Sequence, residues 1–301
     1  MQALTLILGL GCVDYGVTRA TERQSWTQPS RAGGVDVLWV VDDSLSMYEE
    51  QEQLSAHGQA FIDLLLNVPV DFELGLTTTD MAVRGGELMG PLLSAETPEL
   101  GAEFTRQLDL IGEGSRDERG FDAAVVASAA LTRQGADLEV VFFSDEDDQS
   151  ELGADSFLAQ LRDLVDGQVA VSAVTGPLPQ GCASLVAAAD PAPSYLQAAE
   201  ASDGLRESIC SSDYEALMER IALQVLGMDK EFALTAVPER GSIEVRVDGV
   251  LIPERERHGW AWDPGQNLIQ LDGFAVPRPG STLVVEYYER LGFGDTGGLE
   301  P

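Results

Sequence analysis

Val35-Asp36-Val37-Leu38-Trp39-Val40-Val41 runs straight into Asp42-Asp43-Ser44-Leu45-Ser46. Apart from Asp36 the first segment is wholly apolar. A strand with one wet face alternates; this one barely does, so it reads as a strand of an α/β sheet buried on both faces. Residues 138–143 form a second such run, which ends in Ser144-Asp145-Glu146-Asp147-Asp148. Open parallel sheets gather ligand groups at the carboxyl ends of their strands. Two strands delivering carboxylates and hydroxyls to one rim predict a site for a divalent hard cation, which prefers oxygen ligands.

The 301-residue chain has material for one large domain and a small one. It carries 51 acidic against 18 basic residues, a net charge of −33, and Lys230 is its only lysine. Nucleic acid and anionic membrane surfaces are bound through basic patches, so neither is an expected partner. The acidic surplus reads first as a solvated, solubilising surface.

Residues 3–10 are apolar, too short to span a bilayer, and read as the core of a secretion signal. They lead into Gly9-Leu10-Gly11-Cys12, similar to a bacterial lipobox in which Cys12 is acylated and becomes the new amino terminus. Gly9 stands where leucine is expected, and no basic stretch precedes the apolar one, which leaves room for an upstream start. The alternative is a plain secretory signal, residues 1–12, with an incidental cysteine. Export leaves Cys182 and Cys210, and two cysteines outside the cytosol most simply form one disulfide. No Cys-x-x-Cys pair or Cys/His cluster has zinc spacing. His57 and His258 are too few and too scattered for a histidine-based metal site.

Residues 13–33 are polar without apolar period and read as a flexible tether. After the first strand a helix is expected, with Glu49, Glu50 and Glu52 in its first turns. Met47, Leu54, Phe61, Ile62 and Leu65 recur at helical spacing, with His57 packing on the same face. Residues 72–79 alternate as a strand, with Asp80 just past its end. Residues 85–110 suggest one short hairpin. Residues 112–120 form a glycine- and charge-rich loop opening a helix on Phe121, Ala124, Val125, Ser128 and Leu131. A helix on Phe157, Leu161, Leu164 and Val165 follows, then a strand on Val169, Val171 and Val174. Residues 178–211 read as one long connection holding both cysteines, a loop that gains from a covalent clip. Ser212-Asp213-Tyr214-Glu215 reads as a capping box launching a last helix.

That order predicts an α/β fold over residues 34–228, a three-layer sandwich on a doubly wound, mostly parallel sheet. Over residues 229–290 the period changes to two. Ile243, Val245 and Val247 lead to a hairpin turn at Asp248-Gly249, and Trp260, Trp262, Leu268, Leu271, Leu283, Val285 and Tyr287 continue the alternation. The expectation is a small all-β module, with residues 291–301 a loose tail.

Asp42-x-Ser44-x-Ser46 after a valine-rich strand, with Ser144-Asp145 after a later apolar strand, resembles the von Willebrand factor A domain. That family includes the integrin inserted domain and its metal-ion-dependent adhesion site. The likeness covers roughly residues 34–227. It is nearest to bacterial secreted or lipoprotein members, which read Val-Asp-Asp-Ser-x-Ser-Met, Thr-Thr-Asp, Ser-Asp-Glu-Asp-Asp and then a two-cysteine segment. Residues 41–47, 78–80, 144–148 and Cys182…Cys210 supply each in order.

The resemblance implies a Mg2+ site, with Mn2+ or Ca2+ as alternatives, formed by Asp42, Ser44, Ser46 and Asp145. Neutral hydroxyl ligands leave such an ion short of negative charge, so an aspartate or glutamate exposed on a partner protein would complete its shell. One departure stands out. The family's second motif supplies a threonine, and Gly114-Ser115-Arg116-Asp117-Glu118-Arg119-Gly120 has none. Alignment through Ala123 puts Glu118 at that position, with Asp117 one register away and Ser115 within reach. A carboxylate there should hold the ion more tightly and weaken its pull on an outside carboxylate. Asp43, Asp117 and Asp80 are candidate water-bridged neighbours of the ion, while Asp147 and Asp148 are expected to be solvated or to play the same outer role. The competing reading makes Asp42 a helix cap and the acidic loop plain solvated surface.

The function expected from this pattern is a non-enzymatic, adhesion-type lipoprotein of the bacterial envelope, touching the membrane only through its lipid anchor and facing either the periplasm or the outside. The rivals are a metal-dependent hydrolase using the acidic rim and a structural envelope protein without metal. A phospho-receiver needs a lysine near its acidic cluster, and Lys230 lies beyond the sandwich. A haloacid-dehalogenase-like phosphatase needs an aspartate where Ser44 stands. A Ser/His/Asp hydrolase needs a histidine beside its nucleophile, and there is no Gly-x-Ser-x-Gly elbow.

Overall fold

The structure, a computed structural model, describes residues 21–290 except 32, 113, 115, 185 and 186. A first strand β1 (Thr21–Thr27) precedes the central strand β2 (Val35–Val41). A 3-10 turn (Leu45–Met47) enters α1 (Tyr48–Asn67), followed by β3 (Phe72–Thr78), the short β4 (Leu93–Ser94), α2 (Leu100–Leu108) and α3 (Gly120–Ser128). Next come β5 (Asp137–Phe143), α4 (Ala154–Leu164) and β6 (Val169–Thr175). The chain then forms β7 (Cys182–Ala183), β8 (Ala188–Ala189), α5 (Pro193–Ala201), β9 (Arg206–Ser208) and α6 (Tyr214–Val225). The remaining strands are β10 (Glu231–Ala233), β11 (Glu244–Val247), β12 (Val250–Ile252), β13 (Trp260–Asp263), β14 (Leu268–Leu271) and β15 (Thr282–Tyr288).

The main sheet has the order β4-β3-β2-β5-β6-β9 and is parallel except for β4. Every residue of β2 is buried, because helices cover both faces. Val35, Val37, Trp39 and Val41 pack on the side of α1, α2 and α6, while Leu38 and Val40 pack on the side of α3, α4 and α5. Trp39 meets Phe61 of α1 edge-on at 5.3 Å. Each such side chain contributes about 1.5–3 kcal/mol when fully buried, which explains a near-continuous apolar run in a strand with no wet face. From β2 the chain steps to β3 on one side and returns to β5 on the other. The carboxyl ends of β2 and β5 therefore flank the point where winding reverses, the usual place for a ligand crevice.

Five expectations need correction. Residues 21–27 are not tether: β1 pairs antiparallel with β15 from Thr21↔Tyr288 to Thr27↔Thr282. The strand is polar, with alternate residues only half-buried, so it lacks an apolar period; Trp26 anchors it at 5.4 Å from Phe232. Residues 85–110 hold the edge strand β4 and the helix α2 instead of a hairpin. The spacing of Leu100, Phe104 and Leu108, all buried, carries that helix, and Gly101 obscures it. The long connection contains α5 and β9, whose alanine-rich and polar sequences show little amphipathic contrast. Leu131 is buried but lies beyond the end of α3. The cap of α6 is Asp213, which accepts from the amide of Ala216 at 3.0 Å, not Ser212.

The carboxyl-terminal strands form two antiparallel sheets, β1-β15-β11-β12 and β10-β14-β13. Asp248 and Gly249 both have positive φ, 49° and 81°, as a two-residue type I′ hairpin requires. Phe232, Val245, Trp260 and Ile269 belong to the same buried cluster as α1 and α6, so this module shares a core with one helical layer of the sandwich. His57 is half-buried on α1 with its ring 5.9 Å from Tyr214 of α6, a packing role. Among the described residues no helix is long and apolar enough to cross a membrane. The signal segment, Cys12, the tether before residue 21 and the tail 291–301 lie outside the described residues.

Candidate metal centre

The register Val41↔Phe143 brings the ends of β2 and β5 side by side, and the amide of Asp42 donates to the carbonyl of Phe143 at 2.9 Å. Asp42 is fully buried. Its Oδ1 accepts from the amide of Ser44 at 2.8 Å and its Oδ2 from the hydroxyl of Ser144 at 2.7 Å. The carbonyl of Asp42 takes the side-chain amide of Gln51, tying the loop to α1. This network turns the chain so that the Ser44 and Ser46 hydroxyls meet at 3.0 Å, at the mouth of the crevice. Ser44 is buried and Ser46 exposed.

Asp145 and Glu118 close the site from β5 and from the loop before α3. Asp145 is 5% exposed and its Oδ1 has no hydrogen-bond partner. Burial, with the nearby Asp42 charge, pushes its carboxyl up to about 7, partly offset by the Ser46 hydroxyl. Glu118 reaches the rim because its backbone bridges to Asp80 and the Arg119 amide donates to the carbonyl of Thr79 at 3.0 Å. The Glu118 side chain is 2% exposed, and Oε2 has no partner. Burial, then the charges of Asp42, Glu146 and Asp145, push that carboxyl up to about 9. Burial also raises Asp42, against the hydrogen bonds from Ser44 and Ser144.

The outer candidates separate. Asp43 is 1% exposed; burial, against the Thr78 hydroxyl and with Asp80 and Asp42 nearby, pushes its carboxyl up to about 6. The Gly114 loop covers it: a Cβ at Gly114 would lie 2.1 Å from the Asp43 carboxyl carbon, so only glycine fits there. Asp80 is buried and accepts from the amides of Ala82 and Val83, ordering the turn after β3. Asp117 is exposed on the loop surface. Ser115 lies outside the described residues. Asp147 and Asp148 are half-buried, not the freely solvated carboxylates that one expectation made them. Asp147 accepts from the amide and hydroxyl of Ser194 at the start of α5, and Asp148 from the amide of Phe121 at the start of α3. Both therefore satisfy open amides at a helix amino terminus. Beneath the site, Tyr195 is fully buried with its hydroxyl unpartnered, and a Cβ at Gly120 would lie 2.3 Å from that oxygen.

No arginine or lysine pairs with Asp42, Asp43, Glu118 or Asp145 among the described residues. Among the described residues, no three His, Cys, Asp or Glu side chains converge closely enough to hold an ion by themselves. A site built on two hydroxyls is not of that kind. Buried carboxylate oxygens without donors or counter-charges cost several kcal/mol. The donor set of Ser44, Ser46, Asp42, Asp145 and Glu118, oxygen throughout, fits a hard divalent cation that would supply the missing charge. The disulfide Cys182–Cys210, 2.07 Å, clips the loop beside this rim.

No family model and no curated relative matches the sequence. Solved structures do. The pilus adhesin SpaC of Lactobacillus rhamnosus GG in its open conformation aligns over 93% of this chain at 13% identity and TM-score 0.51. A von Willebrand factor type A protein from Catenulispora acidiphila aligns over 91% at 12% identity and TM-score 0.47. This chain spans 42% of the adhesin's length and 66% of the Catenulispora chain's. At such identity the likeness is one of fold. This chain has a fold similar to that adhesin's, an α/β fold on a mostly parallel sheet with added antiparallel strands, as the resemblance to von Willebrand factor A domains implies.

Proposed function

We propose that this chain is a binding protein, not an enzyme, that captures a carboxylate of a partner protein through a divalent cation. Ser44, Ser46, Asp42, Asp145 and Glu118 would hold the ion, with Asp43 and Asp80 behind them. Mg2+ is favoured, with Mn2+ or Ca2+ as alternatives. When bound, the ion supplies a Lewis-acid position open to an outside carboxylate. The protein's own part is to keep two hydroxyls 3.0 Å apart and to bury near them carboxylate oxygens of Glu118 and Asp145 that have no hydrogen-bond partner. The observation that carries the reading is the unpartnered Oε2 of Glu118 and Oδ1 of Asp145, both buried at the rim where Ser44 and Ser46 meet.

An envelope location, with Cys12 as lipid anchor, is part of the same reading. The disulfide between Cys182 and Cys210 suits an oxidising compartment, and the pilus adhesin of like fold acts at a bacterial surface structure, by its name. The strands after α6 would then serve as a spacer or a second contact surface.

Calorimetric titration with Mg2+ tests the proposal. Wild type should bind one ion and Asp42→Ala none, and capture of acidic peptides should vanish on adding chelator. Equal metal binding by Asp42→Ala, or turnover of a hydrolysable substrate that depends on Asp145, contradicts it. Glu118→Thr should weaken Mg2+ binding about tenfold, since one charged ligand is exchanged for a neutral one.

A further inference from the structure

The hairpin beside the rim has almost no core of its own. Among its described residues from Gly181 to Pro191, only Ala187 is buried. β7 and β8 pair over two positions, Cys182↔Ala189 and Ala183↔Ala188. Ala183, Ala187, Ala188 and Ala189 are too small to gain much from burial. A few hydrogen bonds and one covalent link hold the hairpin to the rest of the chain. The amide of Ala188 donates to Glu50 Oε1 at 3.1 Å, and the amide of Asp190 donates to the carbonyl of Asp145 at 2.8 Å. The covalent link is Cys182–Cys210.

Cys210 stands on firmer ground. Its neighbour Ile209 is fully buried. The Ile209 amide donates to the carbonyl of Thr175 at the end of β6 at 3.1 Å, and its carbonyl accepts from the Tyr214 hydroxyl of α6 at 2.6 Å. The disulfide therefore ties a lightly packed hairpin to a rigid post. One of the bonds it protects reaches a candidate ion ligand directly, because the Asp190 amide fixes the backbone of Asp145. Hydrogen bonds that orient a ligand from outside govern metal affinity as well as the ligand itself does.

The link is also within reach of solvent. Both cysteines are half-buried, not sealed. Cys182 lines a cavity of about 590 Å³ together with Ser46, Glu50 and Asp145. We propose that Cys182–Cys210 is a redox lock on the metal centre: oxidised, it holds Asp145 in place, and reduced, it frees the hairpin and lowers cation affinity. The inference rests on the metal-dependent binding proposed above and adds what regulates it. The reductant is a dithiol, and the carboxylates of Glu49, Glu50, Asp145, Glu146 and Asp190 around the cavity favour an uncharged one. One of its thiolates attacks the Cys182 sulfur. The S–S bond breaks, and its electron pair leaves on the Cys210 sulfur, which takes a proton from water. The second thiolate attacks the reductant's own sulfur in the mixed disulfide and expels Cys182 as a thiolate, with the Ser208 hydroxyl 3.3 Å from that sulfur. Water protonates it in turn. The protein gains two electrons and two protons, and the dithiol becomes a disulfide.

Calorimetric titration with Mg2+, paired with amide hydrogen exchange, tests this on the whole protein in three forms: oxidised, reduced with dithiothreitol, and Cys182→Ser/Cys210→Ser. The reduced protein and the double variant should bind Mg2+ about tenfold more weakly than the oxidised protein. Reoxidation should restore the affinity of the wild type. On reduction the amides of Ala188 and Asp190 should lose protection, while those of Asp42 and Ile209 keep theirs. Equal affinity in all three forms would overturn the lock and leave the metal reading intact. Continued protection of the Asp190 amide after reduction would overturn it too. Loss of protection throughout the chain would also overturn it, making the disulfide a brace for the whole fold. An oxidised protein that binds no Mg2+ would remove the metal reading and the lock together.

Discussion

The two ends of the parallel sheet bury carboxylates in opposite ways. At the amino-terminal end Asp36, 1% exposed, is held by Arg133 at 2.6 Å, and Asp137 by Arg31 at 3.0 Å. Arg133 also reaches Asp71 at 2.8 Å and the carbonyl of Val35 at 3.0 Å. At the carboxyl-terminal end, just past the last residues of β2 and β5, Asp42, Asp43 and Asp145 are buried, as is Glu118 on the loop before α3, and none of them pairs with an arginine among the described residues. One sheet thus shows what this fold does with a buried carboxylate when stability alone matters, and what it does where the charge is left open. Pairing with arginine at one end and hydroxyls with orphan oxygens at the other separate structural carboxylates from candidate ligand carboxylates.

The largest effect should come from breaking the paired end. Arg133→Ala strands Asp36 in the core and is expected to cost about 3 kcal/mol in urea unfolding. A cost under about 1 kcal/mol would mean the paired end is not stabilising in the way described. Next, a cation should do for the open end what Arg133 does for the other. Mg2+ at a hundred times its dissociation constant should stabilise wild type by about 2.7 kcal/mol and leave Asp42→Ala unchanged. Neutralising one open carboxylate should have the reverse sign of Arg133→Ala. Without metal at pH 8, Asp145→Asn is expected to gain about 1–2 kcal/mol, because it removes an uncompensated buried charge.

The open end also fixes the pH dependence. Asp145 and Glu118 have folded-state values raised to about 7 and about 9. Between their ordinary carboxylate range and those values the folded chain binds more protons than the unfolded one. Their contribution is therefore fully present in acid and is lost as pH rises through about 7 and then about 9. Metal-free protein should melt higher at pH 6 than at pH 8.5, and saturating Mg2+ should flatten that slope. A melting temperature that rises over this window would contradict the description of the rim.

The smallest effect sharpens the comparison at its weakest point. Glu139 lies at the paired end, yet Arg31 stays 3.9 Å away and Oε2 has no hydrogen bond, although Ser172 donates to Oε1 at 2.6 Å. Burial pushes its carboxyl up to about 7. Glu139→Gln should raise stability at pH 8 by about 1 kcal/mol and change nothing at pH 5. If it instead behaves like Arg133→Ala, Arg31 pairs more strongly than its distance indicates.

The part of this picture legible in the sequence is the part dominated by burial on two faces. Val35–Val41 and the run to Phe143 had to be central strands, and their ends had to meet, because a parallel sheet leaves few other arrangements. Glu118 emerged from an alignment through Ala123; its side chain is buried, and the charges of Asp42, Glu146 and Asp145 lie near enough to raise its carboxyl. What stayed hidden depends on contacts distant in sequence. β1 is polar and gains its place from β15, more than 250 residues away, and from Phe232. Nothing in Asp42-Asp43 says that the second carboxylate is sealed beneath Gly114. Glu50 reads as a helix-dipole residue until the loop carrying Ala188 folds over it. Asp147 and Asp148 look solvated in a run of acids and turn out to hold the starts of α5 and α3.

The most direct test of the open rim is an anomalous difference map from crystals grown in Mn2+. The account predicts a single strong peak in contact with the Ser44 and Ser46 hydroxyls, facing Asp145 and Glu118. A map without density there, or with its peak only in the pocket beside Glu50, would contradict it.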